Sequence, residues 1–267
     1  MLVGNRLQGE TILTSFCLSK EIVDKINSKL STDPGFWNST VNKSSKAYYF
    51  KQYKQLYNLI QYSELPSKPG KPPKSLGCFV KNTFHGMSWF CHWFKPVEIV
   101  FNFAELTLVQ NRLSNIGLVD LIGINAITEE DFNYSHPETL IVQRALTPIL
   151  HSFYLLENNG CLLNWNFGIS TRLNIGMIFC LVYCFHKVLV QKFDDCQVLV
   201  CKGYRREIGL KLADVICKDM ERVSDLFCEE SSILEIIPSN LILDKRWFIK
   251  CLNRCNDKFF ASLLEKA

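Results

Sequence analysis

No long apolar run occurs in this sequence. Its most hydrophobic stretch, between Arg172 and His186, gives 13 residues without a charged side chain or a histidine, whereas a membrane-crossing helix needs about 20. That stretch is expected to be a buried core helix of a soluble protein, with no membrane partner. Also missing is any C-x-x-C pair among the twelve cysteines, which removes the commonest zinc-ligand spacing. Met1 to Glu10 lacks the apolar core of a secretion signal. The cysteines are therefore expected as thiols in a reducing compartment, and the sequons at Asn38, Asn42 and Asn133 carry no weight. Internal repeats are absent. Nor is there a strong charge of one sign: a net charge of +4 permits contact with nucleic acid without arguing for it.

What is present is ample core material, since 48% of the 267 residues are hydrophobic. One domain of this length is within range. Residues 7–31 read as an amphipathic helix (Phe16, Ile22, Val23, Ile26, Leu30) ended by Asp33-Pro34-Gly35. Lys46 to Tyr62 carries a second helical stripe. Residues 1–63 thus form a helical amino-terminal extension. Residues 64–75 are a Pro/Lys-rich loop, because its prolines deny it a helix or a central strand. In the remainder, 76–267, strands are expected at Gly77 to Val80, Val97 to Phe103 and Gly117 to Gly123, with a helix between at Glu105 to Asn115. A long helix from His136 to Leu156 should be bent or interrupted by Pro148. Helices at about 206–228 and 245–264 close the chain. Alternating strands and helices argue an α/β sheet fold.

The most informative segment is 160–203. It predicts a strand (Cys161 to Phe167), a helix (Thr171 to His186) and two strands (Lys187 to Phe193, Gln197 to Lys202) joined by a few polar residues as an antiparallel hairpin. Ser170 or Thr171 can cap the helix, which is apolar nearly all round and so expects protein on both sides.

On Gly160, Ser170-Thr171-Arg172, Gly176-Met177-Ile178-Phe179, Cys184-Phe185 and Val200-Cys201-Lys202-Gly203, this segment resembles the FtsJ-like messenger-RNA cap 2′-O-methyltransferases. The likeness is nearest to the carboxyl-terminal, degenerate methyltransferase-like domain of the cap-2-type enzyme, which modifies the second transcribed nucleotide, and covers about residues 117–260. The resemblance implies a Rossmann-like methyltransferase sheet with an antiparallel terminal hairpin. It implies S-adenosylmethionine as the family cofactor, capped messenger RNA or an upstream catalytic domain as partners, and a nuclear or cytoplasmic location. It also implies a Lys–Asp–Lys–Glu set beside the ribose hydroxyl, which is a weak nucleophile without a base. Three of those four positions fall here on Ile122, Trp165 and Cys196, and no lysine occurs between Glu157 and Phe185. The family's glycine loop, E-x-P-G-x-F, does not occur. The expectation is a non-catalytic domain, a fragment or shortened product, that binds little or no cofactor. The alternative is a stand-alone protein-interaction module with the same fold.

Other constellations stay open. His85, Cys91 and His92 invite a zinc reading, but without a paired C-x-x-C. Cys180/Cys184 and Cys251/Cys255, four apart on helices, are better explained as buried thiols acting as small hydrophobes. Lys46, Lys51 and Lys54 sit in a basic–aromatic run that suits RNA or the wet side of an amphipathic helix. Lys202, Arg205 and Arg206 form a second basic cluster, and Arg172 suits a structural turn as well as an RNA contact.

Overall fold

The structure, a computed structural model, describes residues 19–22, 24, 25, 28, 73–79, 90, 91, 94–101, 117–125, 137–165, 167, 169, 172–193, 196–224 and 236–266. Six strands, β1 (Ser75–Phe79), β2 (Glu98–Phe101), β3 (Val119–Asn125), β4 (Leu156–Trp165), β5 (Phe185–Phe193) and β6 (Cys196–Tyr204), form one sheet in the order β2-β1-β3-β4-β6-β5. The helices are α1 (Pro137–Leu155), α2 (Arg172–Cys184), α3 (Arg206–Ser224), α4 (Ser239–Leu243) and α5 (Arg246–Lys266). β1 to β4 run parallel, and β6 lies antiparallel between β4 and β5. The fold is α/β, a Rossmann-like methyltransferase sheet with the antiparallel terminal hairpin the sequence predicts. Of the helical amino-terminal extension, the described part begins at Ser19, whose backbone N–H donates to Asp257 Oδ1 on α5 at 2.8 Å. The expected helices at 46–62 and 105–115, and most of the Pro/Lys loop, lie outside the described residues.

Inner strands of a parallel sheet are covered on both faces and need apolar residues throughout. β1 (SLGCF) is buried at every position, and so is β3 except at Asp120. On one face Leu76, Cys78, Ile122, Ile124, Leu162, Leu199 and Cys201 pack with α1, α2, α3 and α5 into the main core. β5 is an edge, and the exposed Lys187 on it fits an edge kept from pairing with another chain.

Several boundaries differ from expectation for local reasons. β3 starts at Val119 because Gly117 takes a left-handed φ of 67°, and it continues past Gly123 because Ile124 and Asn125 pair with Asn164 and Trp165. β4 begins at Leu156 rather than Cys161, through an irregular entry with Asn159 at φ 66° and a register shift against Val119/Leu121. α2 stops at Cys184 because Phe185 already pairs with Tyr204. Pro148, expected to bend or interrupt its helix, sits buried within the unbroken span of α1. Phe179, mid-way along α2, is half-buried between Phe248 (5.2 Å) and Tyr183 (5.1 Å), so Ile175, Leu181 and Cys184 lie deeper. Cys251 is exposed rather than buried. No described helix is long and apolar enough to cross a membrane.

Candidate functional site at the carboxyl edge of the sheet

β1 is flanked by β2 on one side and β3 on the other, so the chain steps outward from β1 to β2 and then crosses back past β1 to β3. Ligands of open α/β sheets bind outside the carboxyl ends of the strands at such a reversal. The edge row is in register across three strands: Phe79 on β1 pairs with Asn125 on β3, and Asn125 with Trp165 on β4. Two residues in, Gly77 pairs with Gly123, which leaves a floor without side chains beneath the reversal.

Aromatic rings cover that floor. A Cβ on Gly123 would lie 2.6 Å from the Phe90 ring, and one on Gly77 would lie 2.5 Å from the Phe79 ring. Phe79, Phe90 and Trp165 contact one another with centroids 5.7, 6.3 and 6.0 Å apart, and Phe94 adds a fourth ring 5.3 Å from Phe90. All four are buried. Ser75 Oγ donates to Phe94 O at 3.1 Å and ties the segment carrying Phe90 and Phe94 to the start of β1. Edge-to-face rings of this kind add about 0.5–1.5 kcal/mol per pair beyond their buried area. A cofactor approaching the backbone at Gly77 and Gly123 would have to displace the cluster. Among the described residues, this floor leaves no open backbone for S-adenosylmethionine; the segments that follow β1, β2 and β3 lie outside the described residues.

The residues aligned with the family's proton-handling set are not brought together. Ile122 lies within β3 and faces the helices of the main core, while Trp165 stands on the opposite face with Gly123. Cys196 starts β6 and pairs with Phe193. At the true end of the central strand stands Asn125, buried and in register with Trp165. Sequence reading passed over it because Gly123 looked like the strand's end. An amide and an indole take up no proton near neutral pH. Beside them Asn164 is buried on the helical face, and its Nδ2 has no hydrogen-bond partner among the described residues.

The basic residues are also placed apart. Arg172 is exposed at the start of α2, near the carboxyl edge. Lys202, Arg205 and Arg206 lie where the antiparallel β6 gives way to α3 and so at the opposite edge, about 20 Å away by the length of α2. There the arginines serve helix ends. Neither α1 nor α2 carries a basic residue in its last turn, where carbonyls lack partners and the helix dipole is negative. Arg206 Nη1 donates to Tyr154 O (3.0 Å) and Leu156 O (2.6 Å), and Arg205 Nη2 to Val182 O (3.2 Å). Lys202 is half-buried. Lys46, Lys51 and Lys54, like His85 and His92, lie outside the described residues.

Burial pushes the Cys78, Cys161 and Cys180 thiols up to about 12 and Cys184 to about 11. Such thiols stay protonated and are poor nucleophiles at neutral pH. Among the described residues, no three His, Cys, Asp or Glu side chains gather where they could hold a metal ion.

No protein-family model matches the chain, and no curated protein matches it. Solved structures similar to it include methyltransferases. A putative ribosomal RNA methyltransferase from Plasmodium falciparum is 13% identical with a TM-score of 0.40, over 61% of this chain and 98% of its own. The MycE methyltransferase of the mycinamycin biosynthetic pathway, in complex with Mg and SAH, is 10% identical with a TM-score of 0.35, over 70% and 58%. The Haemonchus contortus phosphoethanolamine N-methyltransferase 2, in complex with phosphomonomethylethanolamine and S-adenosylhomocysteine, is 14% identical with a TM-score of 0.34, over 61% and 39%. At these values the likenesses carry no argument of their own; the fold assignment rests on the strand order and register above.

Proposed function

We propose that this chain is the non-catalytic, methyltransferase-like domain of a cap-2-type FtsJ-like messenger-RNA 2′-O-methyltransferase. Its role is to support RNA binding or docking to an upstream catalytic domain, in the nucleus or cytoplasm. The observation that carries the reading is the Phe79–Phe90–Trp165 cluster seated on the Gly77–Gly123 floor. The cluster fills the sheet face just inside the carboxyl ends, next to the crevice where this class of sheet admits its ligand. Methyl transfer to a ribose hydroxyl also needs a group that takes the hydroxyl's proton, and Asn125 and Trp165 at the edge offer none. S-adenosylmethionine would supply the methyl group in the family.

The test is incubation of the full chain with radiolabelled S-adenosylmethionine and capped RNA, with calorimetry of the cofactor alone. The expected result is no incorporation above a boiled control and no saturable heat. Incorporation, or a micromolar dissociation constant, about −8 kcal/mol, would refute the non-catalytic reading.

A further inference from the structure

α5 turns a row of cations to solvent. Arg246, Lys250, Arg254 and Lys258 recur every fourth residue and all are exposed. Successive members of such a row lie about 6 Å apart along the axis, and the row spans about 18 Å. Like charges at this spacing repel and destabilise a helix, so helix stability does not account for the pattern. Asp257 is the acidic residue within a turn of Arg254, and its Oδ1 already accepts the Ser19 backbone N–H. The opposite side of the same helix, with Phe248, Leu252 and Phe260, packs into the protein. Asn256 Nδ2 fastens it to Ile169 O at 2.9 Å. The cationic face therefore sits on a fixed element.

An exposed aromatic stands in the row. Trp247 is 52% exposed, beside Lys250 and Cys251 by helical spacing, and its ring packs edge-on against Phe248, 5.6 Å away. Phe248 in turn contacts Phe179, and Phe179 contacts Tyr183, which is 48% exposed. A held indole beside a line of positive charge is the combination that single-stranded nucleic acid requires: phosphates are met by cations and unstacked bases by an aromatic face. An acidic protein segment would use the charge but not the indole's face.

We propose that this face of α5 binds single-stranded nucleic acid, with Arg246, Lys250, Arg254 and Lys258 along the phosphates and Trp247 under a base. The proposal names a surface for the RNA-binding arm of the function above and rests on that arm.

The experiment is fluorescence anisotropy of a labelled oligouridine of about fifteen nucleotides with the full chain across a salt series. For single strands each phosphate contact contributes about 0.7 to the slope of log affinity against log salt. The triple variant Arg246→Gln/Lys250→Gln/Arg254→Gln should lose about 2 from that slope and at least tenfold in affinity. Arg246→Lys/Lys250→Arg/Arg254→Lys should keep both. Trp247→Ala should keep the slope and lose about fivefold or more, and Trp247→Phe should retain most of the affinity. Thermal melting of each variant checks folding; removing the repulsive row should leave the melting temperature level or higher. Binding by the full chain with an unchanged slope in the triple variant overturns the surface and spares the RNA-binding reading. Tight competition by polyglutamate with no effect of Trp247→Ala overturns it in favour of an acidic protein partner. No binding by the unmodified chain overturns both.

Discussion

Replacing Gly123 by alanine adds one methyl group at the floor of the carboxyl edge. In a strand interior, alanine is normally better than glycine by about 0.5–1 kcal/mol, because glycine has more backbone freedom to lose. Here the new Cβ would meet three Phe90 ring atoms at 2.6, 2.8 and 3.0 Å. Phe90 cannot easily withdraw: it is fully buried and held by Phe79, Phe94 and Trp165. Forcing an extra methyl into such a packed site costs about 1–3 kcal/mol. The expected net loss is about 1–2 kcal/mol, read as a lower urea midpoint at constant slope. A double-mutant cycle isolates the contact. Phe90→Ala alone should cost about 3–5 kcal/mol as a cavity. In that background Gly123→Ala should cost nothing or stabilise, which gives a coupling of about 2 kcal/mol. A neutral or stabilising Gly123→Ala in the unmodified chain would refute the reasoning, because the edge would then have room for a ligand.

Gly209→Ala inverts the usual helix rule in the same way: alanine should gain about 1 kcal/mol in a helix, but its Cβ would sit 2.2 Å from Tyr204 Oη. Tyr204 is pinned by Phe153, Phe185 and its bond to Phe153 O at 2.7 Å, so a loss of about 1–3 kcal/mol is expected, and an unchanged or raised melting temperature would contradict it. Arg206→Ala should cost about 1.5–3 kcal/mol, since it strands carbonyls that a charged donor satisfies; a urea midpoint within error of the unmodified chain would show that water replaces the guanidinium. Peptide mapping after thiol labelling at neutral pH should find Cys251 modified and Cys78, Cys161 and Cys180 protected. The folded state holds those thiols neutral, so their contribution is fully present below the unfolded thiol value of about 8.5 and is lost as pH climbs from there toward 12. Stability that is flat between pH 8 and pH 11 would count against it.

The sequence by itself determined the order of elements from β4 to α3 and the closing hairpin, because apolar periodicity and a short polar turn are local signals that survive without tertiary context. The apolar character of Ile122 and Trp165 was equally legible, being a matter of residue type. What no local signal carried was which residues meet. Phe90 lies on Gly123 and beside Trp165 because parallel register sets those distant segments side by side, and a one-residue slip would turn each side chain to the other face. The end of β3 at Asn125 depended likewise on its partner, β4. Lys202, Arg205 and Arg206 read as a basic cluster in the chain. Only the antiparallel direction of β6 put them at the edge remote from Asn125 and Trp165, where two guanidiniums meet the carbonyl ends of helices that begin well upstream. Secondary structure follows from neighbours in the chain, but the chemistry available at a sheet edge follows from register and strand direction, which are fixed only when the whole sheet has formed.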